Sequence, residues 1–287
     1  MKLAFITDEV TQSFDEAVRF AEDYSLSALE FRTIQNHAIN EIDDETLLTW
    51  QKKLRDKNLC VCSLASSFFK CEPTAYNIAC EMQKLKRLCD IADIFSCEFI
   101  RGFAFFSDGK NILPPEILAA YFKDATVLLK KRGKTLLLEA DPSVNTPNHK
   151  TLAACIKTIG HQSVQAVFDP GNDMYDPLCE TPYPDGYEEI FPYIKHIHIK
   201  DAIRVQGEAF CVKIGTGEVG YFPLLQRLIK DKYKGYLSLE THYRLNTELT
   251  ENQLRTPGGA AFSTDGLNAT AECIVALRKL LAEAENK

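Results

Sequence analysis

Short runs of branched and aromatic residues recur along the chain, each followed by a stretch in which apolar residues return every three or four positions. The first pattern is that of buried strands and the second that of helices packed on one face. Strands are expected at about 2–7 (KLAFIT), 27–32 (SALEFR), 59–65 (LCVCSLA), 98–103 (EFIRGF), 135–140 (TLLLEA), 164–169 (VQAVFD), 194–200 (IKHIHIK) and 236–240 (YLSLE). Between them, Ser13 and Glu16 have the spacing of a capping box that opens a helix. Asp43 or Asp44 caps a helix to about Lys57, with Leu47, Leu48, Trp50 and Leu54 along its buried stripe. Further helices are expected from Asn77 to Ile94, from Pro114-Pro115 to about Lys131, over 149–159, briefly between Gly186 and Tyr193, from Tyr221 to Lys232, and from Ala269 to Ala284.

Eight strands, each followed by a helix, in a chain of 287 residues predict an α/β protein built as a single (β/α)8 TIM barrel spanning residues 1–287. A doubly wound open sheet would want fewer strands and a glycine-rich first turn, which is missing.

Several of the runs break into charge where the strand should end. Glu139, Asp169 and Glu240 stop the fifth, sixth and eighth strands, and KHIHIKD places His196 and His198 two apart, so both imidazoles share one face. Carboxyl ends of barrel strands converge on one mouth, which makes Glu139, Asp169, His198 and Glu240 neighbours. Three carboxylates and an imidazole crowded together call for a positive charge among them. Oxygen-rich ligation with one nitrogen suits Mn²⁺, Mg²⁺ or Co²⁺ and tolerates Zn²⁺.

Composition narrows the field. A formal charge of −7, with no concentrated basic run, speaks against nucleic acid and for a small-molecule partner. No leader-like segment and no membrane-length apolar run is visible, so a cytoplasmic protein without a membrane partner is expected. The ten cysteines then read as reduced, lacking zinc-type spacing, and Asn268-Ala-Thr is a sequon by letter only.

The set LLLEAD, FDPGN, HIHIKD and LSLETH resembles the sugar phosphate isomerase/epimerase superfamily, the xylose isomerase-like barrels, over essentially the whole chain. The resemblance implies that Glu139, Asp169, His198 and Glu240 bind one divalent metal, and that Glu139 and Glu240 act as catalytic acid and base on opposite faces of the substrate. The implied function is a metal-dependent isomerase or epimerase of a small sugar or polyol, moving a proton through an enediolate. The alternative is an inosose- or dehydroshikimate-type dehydratase on the same site; a non-catalytic binding barrel and a DNA-repair barrel rank below. Members of the superfamily often dimerise, so a homodimer is a possible assembly.

Lys200 shares the face of His198 and is expected to steady an oxyanion or else to pair with Asp201. Asn172 stands where many ketose epimerases carry a histidine, and Arg101 and His242 are further candidates for substrate contact. Glu30 and Arg32 either touch substrate or form surface ion pairs, and His196 is expected in the core or behind a ligand. Glu218, in the turn Gly215 to Gly220, is expected to orient a substrate hydroxyl, while Tyr243 to Gly266 has the length of a lid. Only six histidines occur, with Ser66 and Arg101 at the ends of strands three and four, so a trinuclear zinc site is not expected.

Overall fold

A computed structural model describes residues 1–107, 111–176, 178 and 180–286. Eight parallel strands form one sheet: β1 Lys2–Phe5, β2 Ala28–Phe31, β3 Cys60–Phe68, β4 Phe99–Gly102, β5 Thr135–Glu139, β6 Val164–Phe168, β7 Ile194–Ile199 and β8 Tyr236–Leu239. Their order is β1-β8-β7-β6-β5-β4-β3-β2, and a lone parallel bridge between Ile6 and Glu30 draws β1 to β2. The chain therefore forms a nearly closed (β/α)8 barrel, as the strand count predicts.

Seven longer helices cover its outside: α1 Phe14–Asp23, α2 Asp44–Asp56, α3 Ala75–Ile94, α4 Lys123–Arg132, α5 His149–Ile159, α6 Tyr221–Lys230 and α7 Gly266–Glu285. Local chemistry sets where they begin. Ser13 accepts the Glu16 N–H and Asp43 the Thr46 N–H, satisfying first-turn donors. The return half of the first box is relayed, because the Ser13 N–H goes to the Thr11 hydroxyl, which in turn donates to Glu16. Thr74 caps α3, which starts at Ala75, two residues before the expected Asn77. The expected helix after Pro114 is split into Pro115–Tyr121 and α4.

The outward faces of the strands meet these helices in the core. Phe14 of α1 stacks on Trp50 of α2 at 4.6 Å between ring centres, and both rings meet the edge of Phe31 from β2. Facing inward at the bottom, Ala4, Ala28 and Cys62 form a small apolar floor. Above it the barrel interior is charged.

Two departures matter for the site. β3 runs to Phe68, beyond the expected Ala65, because Phe68 still pairs with Gly102. A hairpin that the sequence patterns did not suggest, Asp201–Val205 with Glu208–Val212, rises from the end of β7. It turns on Gln206 and Gly207, both at positive φ, in the manner of a two-residue primed turn.

Candidate metal centre

Glu139 is the last residue of β5, Asp169 and Glu240 directly follow β6 and β8, and His198 lies in β7 one residue before its end. One ligand atom from each of the four falls within 4.8 Å of the others, and all four are buried. That spread is close to the roughly 4 Å separating oxygens around a cation with bonds of about 2.1 Å. His198 Nδ1 lies 3.0 Å from Glu139 Oε1 and 2.9 Å from Glu240 Oε2. Asp169 divides its two oxygens: Oδ1 accepts the Gly171 N–H at 2.9 Å as a helix cap, leaving Oδ2 facing Lys200 Nζ at 2.7 Å.

Positive charge surrounds the acids. Arg101 Nη1 lies 3.1 Å from Glu139 Oε2 and 3.5 Å from Glu240 Oε1. Its remaining donors go to the carbonyls of Ser66 and Ala65, which pin the guanidinium to the end of β3. Arg32 reaches Glu240 as well, while bonding Asp8 at 2.8 Å and Glu9 at 2.9 Å. Burial alone would raise the Glu240 carboxyl, but Lys200, His198 and Arg32 hold it well below the usual carboxylate range. Asp169 goes the other way: burial pushes it up to about 6 against the pull of Lys200, with the charges of Glu240 and Glu139 adding to the rise. His198 is depressed by burial yet carried well above the usual imidazole range by Glu30, Glu139 and Glu240. A proton on Nδ1 thus stands where the two glutamates attract a cation. Metal binding would release it.

A cavity of about 740 Å³ opens over this cluster, and Glu139, Glu240, Lys200, Arg101, Arg32, Asn172 and His242 reach it. Asp169 and His198 lie behind them and are not exposed at all. The loops add Phe103, Lys70, Asp141 and Tyr175, and the short helix Glu251–Arg255 within 243–266 forms part of the rim. Of the candidates for substrate contact, Lys200, Arg101, Asn172 and His242 are brought together here. Asn172 Nδ2 bonds the Ala140 carbonyl at 2.9 Å and lies 3.4 Å from Glu139 Oε1. His242, at φ 46°, sits with Nε2 3.3 Å from Glu9 and 3.6 Å from Glu240. Burial pushes its imidazole down to about 3, so it is neutral.

Glu218 is not brought to the cavity, contrary to the expectation that it orients a substrate hydroxyl. It is exposed, and its carboxylate accepts the Arg204 N–H of the hairpin at 3.1 Å. The turn that carries it wraps Asp201, whose oxygens accept the N–H groups of Gly215, Gly217 and Val219. Those amides are spent on Asp201 and cannot cradle a phosphate. Lys200, whose side chain leaves the opposite face of the extended chain from Asp201, pairs with Asp169 instead.

Some members of the site gave a faint signal. Glu30 and Arg32 are neither surface ion pairs nor on equal terms with substrate: Glu30 is fully buried against His196 and His198, and only Arg32 lines the cavity. Asp8 and Glu9 were missed, although TDE after the first apolar run breaks into charge just as the later strands do. Lys70 and Asp141, paired at 2.8 Å across the loops after β3 and β5, were missed as well.

Residues 18–262 match the family model for the xylose isomerase-like TIM barrel. The chain belongs to that family. No curated protein matches its sequence. Among solved structures, the xylose isomerase-like chain is similar to the probable 3-DHS dehydratase of petrobactin synthesis from Bacillus anthracis, at 18% identity and TM-score 0.70, covering 92% of this chain and 98% of that one. It is similar to an L-ribulose 3-epimerase at 14% identity and TM-score 0.74, covering 99% and 96%. It is also similar to an IolI protein with a bound zinc atom, at 13% identity and TM-score 0.75, covering 99% of both chains. At such identities the likeness is one of fold. No helix among the described residues of this xylose isomerase-like barrel is long and apolar enough to cross a membrane.

Proposed function

We propose that this protein is a metal-dependent isomerase or epimerase of a small sugar or polyol. The observation that carries the reading is the grouping of Glu139, Asp169, His198 and Glu240 within 4.8 Å, with the two glutamates alone among them open to the cavity. The donor set, three carboxylates and one imidazole, suits Mn²⁺, Mg²⁺, Co²⁺ or Zn²⁺. A divalent cation held there would polarise a carbonyl and its neighbouring hydroxyl and so acidify the adjoining C–H.

The chain's own groups would do the rest. One glutamate takes the proton from carbon and the other returns it, Glu139 and Glu240 approaching the substrate from different strands. Arg101, in contact with both carboxylates, and Arg32, in contact with Glu240, hold them in place. The Lys200 ammonium, fixed by Asp169, is a donor for an oxygen that gains negative charge. Loop 243–266 would exclude water during the exchange.

A second reading, a dehydratase in which loss of a β-hydroxyl follows the same proton abstraction, draws support from the cationic groups Arg101, Lys200 and Lys70 on the cavity wall, which suit an anionic ketone. A 3-DHS dehydratase among the structural neighbours agrees with it.

Two measurements test the reading. Elemental mass spectrometry on protein purified without chelator should find about one divalent ion per chain, lost in Asp169→Ala and His198→Ala. Ketoses and inososes incubated in D₂O should then exchange a carbon-bound hydrogen, and Glu240→Gln should abolish the exchange. A wild-type protein that takes up no metal on reconstitution with Mn²⁺, Co²⁺ or Zn²⁺ would end the proposal, whereas absorbance of a conjugated enone product would select the dehydratase.

A further inference from the structure

Glu30 carries a job that the proton-transfer scheme leaves unassigned. It ends a stretch in which β2 slips register against β3, Leu29 facing Val61 and Glu30 facing Ser63, and such an irregularity re-aims a side chain. The carboxylate points into the barrel below the cavity, fully buried. Its two oxygens are divided between two rings: Oε2 lies 2.8 Å from His196 Nε2 and Oε1 lies 3.3 Å from His198 Nε2. The rings themselves stand nearly perpendicular, at 86° and 5.3 Å. Each is locked from a different side of one carboxylate.

This arrangement decides which nitrogen of His198 a cation can take. A nitrogen facing a carboxylate oxygen carries a hydrogen, and in the metal-free protein both do. The Nε2–H points away from the cavity at Glu30, where no cation can replace it, and the Nδ1–H points at the two glutamates that would hold one. The other nitrogen, Nδ1, is the one lying 3.0 and 2.9 Å from Glu139 and Glu240. We infer that Glu30 is a positioning residue for the metal centre: it holds the proton on His198 Nε2 and the ring plane so that the Nδ1 lone pair is the one offered to a divalent cation. His196 in turn steadies Glu30 from below. The inference rests on the metal reading above, and carboxylates that orient ligating imidazoles in this way characteristically raise metal affinity 10- to 100-fold.

The test is the Mn²⁺ dissociation constant, by equilibrium dialysis, for wild type and Glu30→Gln, together with ¹⁵N NMR of the histidine rings in Zn²⁺-loaded wild type. Glu30→Gln keeps the shape and withdraws the charge, and it should bind Mn²⁺ about tenfold more weakly. The His198 ring should show a protonated Nε2 and a bare, metal-shifted Nδ1. A merely structural role would lower the unfolding temperature of the metal-free variant and leave its Kd alone. Wild type that binds Mn²⁺ beside a Glu30→Gln that binds within twofold of it would overturn the inference while sparing the metal reading, as would a ring metallated through Nε2. Wild type that binds no Mn²⁺ would bring down both.

Discussion

Gly217 has no room for a side chain. A Cβ there would collide with Asp201 Oδ1, the same oxygen pair that gathers the amides of the turn. Gly217→Ala should therefore cost about 1–3 kcal/mol, read as a lower midpoint in urea unfolding, because the turn must open to admit the methyl group. The sequence showed a glycine-rich turn in this place but not what it encloses. Glu218 was misplaced for the same reason, since nothing in a local string says which side of a turn faces the mouth. The four strand-end residues were legible because each interrupts an apolar run with a charge. Glu30 and Arg32 end a strand with charge too, and their letters look alike whether they meet solvent, substrate or a buried partner.

Elements inherit these pairings. Lys70 and Asp141 tie the loop after β3 to the loop after β5 at 2.8 Å, with 7% and 15% of their side chains exposed. Burial raises the Asp141 carboxyl, but Lys70 and Ser143 more than offset it, so its folded value lies below the ordinary one. A depressed carboxylate contributes stability above its unfolded pKa and loses it as the pH falls through the folded one. Lys70→Met should thus unfold at a lower temperature than wild type at pH 7, and the gap should narrow as the pH falls below about 4. Parallel melting curves at several pH values would check it. Helices α1 and α2 meet through Phe14 and Trp50, and Trp50 is 5% exposed. Trp50→Ala should cost about 3–5 kcal/mol in denaturant unfolding, since the cavity lies against the stacked ring and the edge of Phe31. That contact was foreshadowed by the apolar spacing around Trp50, whereas the hairpin after β7 was not. Its turn opens on Gln206, where a primed turn more often has asparagine or aspartate.

For the molecule as a whole, a bound cation is a stabiliser by mass action. Mn²⁺ at about 100 times its Kd should add about 2.7 kcal/mol to the folded state, provided the unfolded chain does not bind it. In a chain of this size that corresponds to a Tm rise of about 5–10 °C, and Asp169→Ala should show none of it by differential scanning fluorimetry. The barrel itself was legible as a whole because its eight repeats share one rhythm. Its charged interior was not, because pairings between β2 and β7 or between β1 and β8 join residues far apart in sequence.

The seam of the barrel has a consequence in time. β1 pairs along its length with β8 and touches β2 through one bridge. A ribosome makes Lys2 some 234 residues before Tyr236, an interval of about 10–50 s at ordinary rates of synthesis. Throughout that interval the strand made first lacks its main backbone partner. Glu9 then joins the two ends of the wait, accepting the His242 N–H at 3.0 Å and holding Arg244 at 3.3 Å. The mouth of the barrel is therefore assembled late in the making of the chain, and a nascent barrel carries an open edge until β8 emerges.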